Sequence, residues 1–488
     1  MSLRIYNSQT QQKEDFQTIE PNRVKMYVCG PTVYGFLHVG NFRGPVFFNF
    51  VRNWLESIGY KVDFIYNFTD VDDKIIDRAK KEGVGPSEIS ELYISEFKKD
   101  YADLGLRSHS ANPKVTEHMQ DIVDFIKTLV SKNRAYQAKG DVYFSIQSFP
   151  EYGKLSHRKV DDLLQGVRVE LEEGKQHPGD FALWKAAKEG EISWASPWGQ
   201  GRPGWHIECS AMIRALLGDQ IDIHGGGLDL LFPHHENEIA QSEGATEKPF
   251  VRYWMHNNML NFSGQKMSKS VGNIVTLREF LEDYHPEIYK WLVLSVHYRT
   301  VSDFGDQAIL RSVQILAKFY SGLNLAADMV PAGESLPIEV QTPEFKNLVS
   351  GIKSGLFDDF NTPMMVAELH QALHLLNANV RRGAKASVKG LSFAKDFLTL
   401  FRWVSDLTQL FQADPKEFLR YLDDLLLKQK GVAREKVDEL VAARTQARQA
   451  KDFAKSDHFR DELVKLGIAI SDTVQGTVWE VDKASQEA

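Results

Sequence analysis

"RVKMYVCGPTVYGFLHVGNFRGPVFFNFVRNWLESIGYKVDFIYNFTD", residues Arg23–Asp70, decides the fold. Its first residues alternate and run into Gly30 and Pro31, the pattern of a buried strand that ends in a turn. From Thr32 the apolar residues recur with a period near 3.6 as far as Ile58, and Gly59 closes the run, so the spacing predicts one helix. Lys61–Asp70 reads as the next strand. Strand, helix and strand, with a glycine-rich turn after the first strand, open a parallel, Rossmann-like sheet. The expected class is α/β.

Working outward, residues 113–135 read as a helix and "GDVYFSI" as a strand, followed by a Gly-, Pro- and Trp-rich tract up to Gly204. Residues of about 110–204 therefore read as an insertion between the two halves of the parallel domain. The sheet resumes with a helix at 205–217, a strand "QIDIHG", a helix beginning near "LFPHHENE", and a strand near "VRYWMHNNML". Beyond residue 305 the patterns are amphipathic at helical spacing until "GIAISDTVQGTVWEV", which reads as a small hairpin. The expected division is 1–304 for the parallel domain, 305–415 for a helical bundle and 416–488 for a small mixed α/β domain.

The chain of 488 residues is ordinary for a soluble protein, with 43% hydrophobic and 25% charged residues. No apolar run reaches the roughly 18–20 residues needed to span a bilayer, and "MSLRIYNSQTQQKEDF" lacks a signal-peptide core, so a cytoplasmic protein is expected. Net charge is −8, so nucleic-acid binding would rely on local basic patches. The only two cysteines, Cys29 and Cys209, lie 180 residues apart, which fits a reducing compartment better than a disulfide scaffold.

Three segments carry chemistry. "GQKMSKSVGN", Gly264–Asn273, sets Lys266 and Lys269 in a Gly-bounded loop after the last strand of the sheet. Such a loop is either a solvated basic turn or a pair of ammonium groups facing a triphosphate. "FLHVGN", Phe36–Asn41, puts His38 and the Gly40 backbone at the start of a helix, where N–H groups favour a phosphate. In "LFPHHENE", His234 and Glu238 are i and i+4 and can converge on one ion, while His235 is i,i+3 from the same glutamate. The bare spacing leaves the two histidines as rivals. It also leaves a charged first turn, with Glu236 complementing the helix dipole, as the simpler account. A metallohydrolase is disfavoured, because His-Glu-x-x-His is absent.

Together these segments resemble the signatures of class I aminoacyl-tRNA synthetases. "MYVCGPTVYGFLHVGN", "NFTDVDDKI", "GRPGWHIECSAM", "DIHGGGLDLLFPHHENEIAQSEG" and "KMSKSVGN" narrow the resemblance to the cysteinyl-tRNA synthetase family. "DDFNTP" and "DTVQGT" extend it more sparsely towards the C-terminus. The resemblance implies one Zn²⁺ held by Cys29, Cys209, His234 and Glu238. It implies ATP, with Mg²⁺, contacted by Lys266, Lys269, His38, Asn41, Gly40, Gly226 and Asp229, and L-cysteine contacted by Gly30, Thr69 and Trp205. The implied partner is tRNA(Cys) and the implied state a monomer.

Zinc suits that substrate. A size-selective pocket separates isosteres such as cysteine and serine by only roughly 10²-fold. A soft metal position that takes a thiolate at about 2.3 Å discriminates against a hydroxyl by chemistry instead. Asn41 stands where the first signature often has a second histidine, and Gly35 where an acidic residue is common. On the tRNA side, Arg444, Arg448, Lys451 and Lys455 follow i, i+4, i+7 and i+11, so one basic helix face is expected. Asp472 and Trp479 in the terminal hairpin are candidate base contacts. Ligation of cysteine to an amino-sugar instead of tRNA is the nearest rival activity.

Overall fold

The computed structural model describes residues 2–158, 174–262, 265–266, 275–331, 333–380, 387–473 and 476–482. The chain opens with an antiparallel hairpin, β1 (Arg4–Asn7) and β2 (Gln12–Asp15). The alternation read from Arg23 produces β3 (Arg23–Val28), with Val24, Met26, Tyr27 and Val28 buried. Helix α1 (Arg43–Ser57) follows and delivers the chain to β4 (Lys61–Tyr66), parallel to β3. Phe47, Phe48, Phe50, Val51, Trp54 and Leu55 of α1 are all at most 3% exposed. Each such side chain contributes about 1.5–3 kcal/mol of burial free energy before entropy is counted.

The expected helix from Thr32 is shorter than its periodicity suggests. It begins only with a 3₁₀ turn at Val39–Phe42 and continues into α1. The cause is competition for the backbone. The Val33 N–H is bonded to the Thr69 carbonyl at 3.2 Å and the Val39 N–H to the Val275 carbonyl at 3.0 Å. Isolated bridges join Thr32 to Thr69 and His38 to Thr276. Groups used across the fold cannot also close helical turns.

Helices α2 (Asp73–Glu82) and α3 (Pro86–Asp103) lead into the insertion, whose helix is α4 (Met119–Ser131). There β5 (Ala135–Ala138), β6 (Asp141–Phe144), β7 (Phe181–Ala186) and β8 (Gly201–Pro203) form an antiparallel sheet in that order. The parallel sheet then resumes through α5 (Trp205–Leu217), β9 (Ile221–Gly227), α6 (Glu236–Thr246) and β10 (Val251–Asn257). Its order is β10-β9-β3-β4, with every pair parallel. β3 therefore connects onward in one direction while β9 lies on its other side. A crevice at the carboxyl ends of such strands is where α/β sheets bind ligands. One apolar cluster runs from Tyr27 and Ile65 through Ile126, Phe144 and Trp184 to Trp254, so the insertion shares its core with the sheet.

The chain divides into two compact units, Met1–Phe304 with Ser354–Pro363, and Gly305–Lys353 with Met364–Ala488. In the first, the returning segment is anchored by Asp359. Its carboxylate accepts hydrogen bonds from the Tyr6 N–H (2.9 Å), the Tyr298 hydroxyl (2.7 Å) and Arg299 Nε (2.9 Å), at 0% exposure. Trp54 and Phe47 of α1 pack on Phe357 and Phe360 of the same segment. The second unit is helical. Helices Asp306–Met329, Val388–Thr408 and Pro415–Lys430 bury Phe319, Tyr320, Phe397, Phe401 and Phe418. Helices Arg434–Gln449 and Phe453–Lys465 precede the antiparallel pair Ile468–Thr473 and Gly476–Val481. That pair is tied to the helix Pro415–Lys430 by the Val481 N–H on Asp423 at 3.1 Å. Among the described residues, no helix is long and apolar enough to cross a membrane.

Candidate functional site

Cys29 follows the last residue of β3, and its N–H is bonded to Gly225 of β9, so its sulfur is presented at the carboxyl edge of the sheet. Cys209 is on α5. His234 and His235 lie on the turn that enters α6, and Glu238 lies in its first turn. These segments meet. The two sulfurs are 3.6 Å apart, Cys29 Sγ is 3.5 Å from Glu238 Oε1, and His234 Nε2 is 3.0 Å from the same oxygen.

Those spacings can be tested against a metal. Tetrahedral bonds of about 2.3 Å to sulfur and 2.0–2.1 Å to nitrogen or oxygen imply edges of about 3.8 Å for S–S, 3.6 Å for S–O and 3.3 Å for N–O. The measured edges are 3.6, 3.5 and 3.0 Å. The ligand atoms of all four residues lie within 4.8 Å of one another and are buried. The donor set therefore fits zinc in size and in softness.

Its electrostatics point the same way. Burial and the neighbouring Cys209 push the Cys29 thiol up. The hydrogen bond from Cys29 outweighs burial at Cys209 and holds that thiol down at about 6. The hydrogen bond between the two sulfurs thus favours the thiolate at Cys209 and the thiol at Cys29. Burial would neutralise His234, but the Glu238 carboxylate and the Cys209 sulfur outweigh it and raise the imidazole to about 10. Burial also opposes ionisation of Glu238, yet His224 and His234 hold it at about 2. The Glu238 carboxylate and the Cys209 sulfur therefore both favour positive charge at the position they share with His234.

A second set, Cys29, His224, His235 and Glu238, also comes within 4.8 Å. It shares two members with the first and has one sulfur instead of two. Its histidines are better described as the layer that holds the first set. His224 Nε2 meets Glu238 Oε2 at 2.9 Å, and His235 Nε2 meets Cys29 Sγ at 3.4 Å. His206 Nδ1 meets His234 Nδ1 at 3.0 Å. Ligands held through such contacts keep one tautomer and one orientation. Burial keeps His235 and His206 neutral.

Beside this cluster, Trp205 is 40% exposed and stacks on the His234 ring at 4.3 Å. With His206 it lines a cleft of about 680 Å³ that also takes in Asp72, Lys74, Lys185 and Arg202. Thr69 is buried, and its hydroxyl donates to Glu208 Oε2 at 3.1 Å. Burial and the adjacent Cys209 raise the Glu208 carboxyl well above its usual range. The Gly30 N–H donates to Asn67 Oδ1 at 2.8 Å, and a Cβ at Gly30 would fall 1.7 Å from the Asn67 carbonyl oxygen. His38 caps the 3₁₀ turn that contains Gly40, and its N–H donates to Asn41 Oδ1 at 3.1 Å. Asn41 thus has a local structural task.

Within "HGGGLD", a Cβ at Gly225 would fall 2.3 Å from the Phe48 ring and one at Gly226 2.9 Å from His235. Internal packing already requires both glycines. Asp229 is exposed in the short 3₁₀ turn after β9. Lys266 belongs to a two-residue strand, Gln265–Lys266, paired with Leu260–Phe262, and Lys269 lies outside the described residues.

Two expectations need correction. Glu236 does more than complement a dipole. It is buried, and its carboxylate accepts from the N–H groups of Gly153 (2.9 Å) and Ser156 (2.7 Å), clamping the insertion to α6. The basic face of Arg444, Arg448, Lys451 and Lys455 is not one face. The helix stops at Gln449, and Lys451 turns the chain with φ of 60° before the next helix. Arg444 is 6% exposed and grips Asp472 with two bonds of 2.8 and 3.0 Å, while Arg448 also reaches Asp472. Trp479 is likewise engaged, donating to Asp438 at 2.8 Å beneath the Arg434 guanidinium.

His206, His224, His256 and Glu208 were not singled out from the sequence. A histidine inside an otherwise apolar strand, as in "IDIHG" and "YWMHN", was the available signal.

Comparison with known proteins covers both ends of the chain. Residues 15–314 match the family described as tRNA synthetases class I (C) catalytic domain, and residues 433–479 the Cysteinyl-tRNA ligase anticodon binding domain. The Cysteine–tRNA ligase of Bdellovibrio bacteriovorus is 58% identical over 481 residues, covering 99% of this chain and 100% of that one. That of Geobacter sulfurreducens is 44% identical, with 99% and 100% coverage. Among solved structures, Mycobacterium tuberculosis methionyl-tRNA synthetase in complex with methionyl-adenylate superposes with a TM-score of 0.58 at 13% identity, covering 85% of this chain and 95% of that one. A putative arginyl-tRNA synthetase from Campylobacter jejuni gives 0.54 at 12% identity, with 82% and 95% coverage. At such identities the likeness is one of fold.

Proposed function

The chain belongs to the cysteinyl-tRNA ligase family of class I synthetases, and from that premise we propose that it activates L-cysteine with ATP and transfers it to tRNA(Cys). The observation that carries the reading is the convergence of Cys29, Cys209, His234 and Glu238 beside the Trp205 cleft. Bound by those four residues, zinc supplies a soft position that favours the thiolate of cysteine over the hydroxyl of serine. Thr69, Gly30 and Trp205 border the amino acid in this reading.

In the first step the cysteine carboxylate attacks the α-phosphate of ATP, and the bond to pyrophosphate breaks. In the second, a ribose hydroxyl of the terminal tRNA adenosine displaces AMP. Both steps depend on positioning and charge stabilisation, and no covalent bond to the protein forms. His38, Asn41 and the Gly40 backbone hold the phosphates from one side. Lys266 and Lys269, with Mg²⁺, hold them from the other, and Gly226 and Asp229 border the adenosine. Residues 305–415 and 416–488 serve the tRNA as bundle and anticodon-binding domain, in a monomeric, cytoplasmic enzyme. Since Arg444 is buried at 6% exposure while Arg448, Lys451 and Lys455 are exposed, the latter three are the more accessible cations for RNA, although Arg448 shares Asp472 with Arg444.

Cysteine-dependent exchange of pyrophosphate into ATP tests the first step, and absence of exchange would remove the proposal. Charging of a tRNA(Cys) transcript tests the second. Exchange without charging would favour transfer to an amino-sugar. Lys269→Ala is expected to slow adenylate formation by about 10²-fold or more, the scale of losing one transition-state charge contact. Cysteine affinity, read by equilibrium titration, should stay within a few-fold. A comparable fall in cysteine affinity at an unchanged activation rate would refute the triphosphate role.

A further inference from the structure

The turn between β1 and β2 reaches the metal cluster through a chain of hydrogen bonds. Ser8 Oγ is 2.8 Å from His256 Nδ1, His256 Nε2 is 2.8 Å from His235 Nδ1, and His235 Nε2 is 3.4 Å from Cys29 Sγ. His235 and His256 are at most 4% exposed, so water does not substitute for these partners. Ser8 itself is held in place. Its N–H is bonded to the Trp254 carbonyl at 2.9 Å, and the Asn7 side chain is fixed to β10 through Arg252 (2.9 Å) and Trp254 (3.2 Å).

A neutral imidazole has one N–H donor and one bare nitrogen acceptor, so a chain of two imidazoles can point in only two directions. Its direction follows from its ends. A cysteine that ligates a metal is a thiolate and can only accept. His235 Nε2 must then donate to Cys29, His256 Nε2 must donate to His235 Nδ1, and His256 Nδ1 must accept. Only a hydroxyl donor at the far end completes that order, and Ser8 is the hydroxyl there.

We infer that Ser8 is a positioning residue for the zinc site, fixing through His256 and His235 the N–H that points at the Cys29 sulfur. The inference rests on the zinc reading above. No bond to the metal comes from Ser8, and its effect is transmitted through ring orientation and tautomer. Loss of the hydroxyl frees His256 to place its proton on Nδ1, which leaves the Cys29 thiolate without its donor.

Ser8→Thr retains the hydroxyl, while Ser8→Val has nearly the same shape without it, so this pair separates chemistry from packing. Ser8→Ala gives a third variant should the valine disturb the hairpin. Zinc affinity is measured by competition with a chromophoric chelator, and the thiolate-to-metal charge-transfer band is recorded after Co²⁺ substitution. Removal of a direct partner of a ligand typically costs 10–100-fold in affinity, and Ser8 is two links further out, so about three- to tenfold weaker binding is expected for Val and Ala. Their charge-transfer band should also shift, and Thr should match the parent in both readings. Equal affinities and identical bands for Thr, Val and Ala would overturn the inference. A parent chain that bound no zinc would overturn the zinc reading and this inference together, an outcome distinct from zinc binding insensitive to Ser8.

Discussion

Cys209→Ser is expected to remove zinc and cysteine activation together, with the fold retained. The side chain is 2% exposed, and its sulfur lies 3.6 Å from Cys29. Serine occupies nearly the same volume, so packing is little disturbed. Its hydroxyl does not ionise in the range where Cys209 does, near 6, and it is a harder donor. The substitution also removes the sulfur that shares a hydrogen bond with Cys29 at 3.6 Å, so one of the two soft donors is lost from the cluster. Loss of a ligand should exceed the 10–100-fold of a second-layer change, so metal affinity and kcat/KM for cysteine should each fall by more than about 10²-fold. That corresponds to at least about 2.7 kcal/mol. Metal analysis after dialysis, exchange kinetics and ATP binding measured on the same preparation check this. Unimpaired exchange by a metal-free variant would remove thiolate ligation from the account.

Asp359→Ala is expected to cost the first unit about 2–4 kcal/mol, the scale of leaving buried and part-buried donors without their acceptor. The carboxylate is fully buried and accepts from Tyr6, Tyr298 and Arg299. Alanine leaves those donors without an acceptor. The position also has φ of 64°, a conformation that aspartate tolerates better than alanine, which adds to the loss. Asp359→Asn keeps one oxygen acceptor and should fall between the two. Urea denaturation followed by tryptophan fluorescence measures the change. A shift below about 1 kcal/mol for Ala would show that the segment is held by its aromatic contacts alone.

Local pattern carried the parallel sheet: β3, α1, β4, α5, β9 and β10 follow from periodicity and glycine placement. Pattern failed at Thr32–His38, where helical spacing was overridden by bridges to Thr69 and Thr276, partners remote in sequence. It failed again at Arg444–Lys455, where a helical continuation was broken by a positive-φ turn at Lys451. At the candidate site, spacing brought His234, His235 and Glu238 to one helix start but could not rank the two histidines. Family resemblance, not geometry, supplied the preference for His234. Both rings are buried in the cluster, one against Glu238 and the other against Cys29. Ser8 gave no local signal, and the histidines in the apolar strands at 224 and 256 marked themselves without their partners, because these contacts span 14 to 248 residues and no short window of sequence records such a pairing.

Segment Ser354–Pro363 belongs to the unit that otherwise ends at Phe304. A ribosome delivers the chain in order, so the buried partners of Tyr6, Tyr298 and Arg299 emerge only after most of the first helices of the second unit. At about 5–20 residues per second, the 59 residues from 304 to 363 take roughly 3–12 s to synthesise. Throughout that interval the residues of the sheet have been synthesised but the carboxylate that Tyr6, Tyr298 and Arg299 donate to has not. The first unit therefore cannot be complete until residues that lie outside its own contiguous stretch have been synthesised.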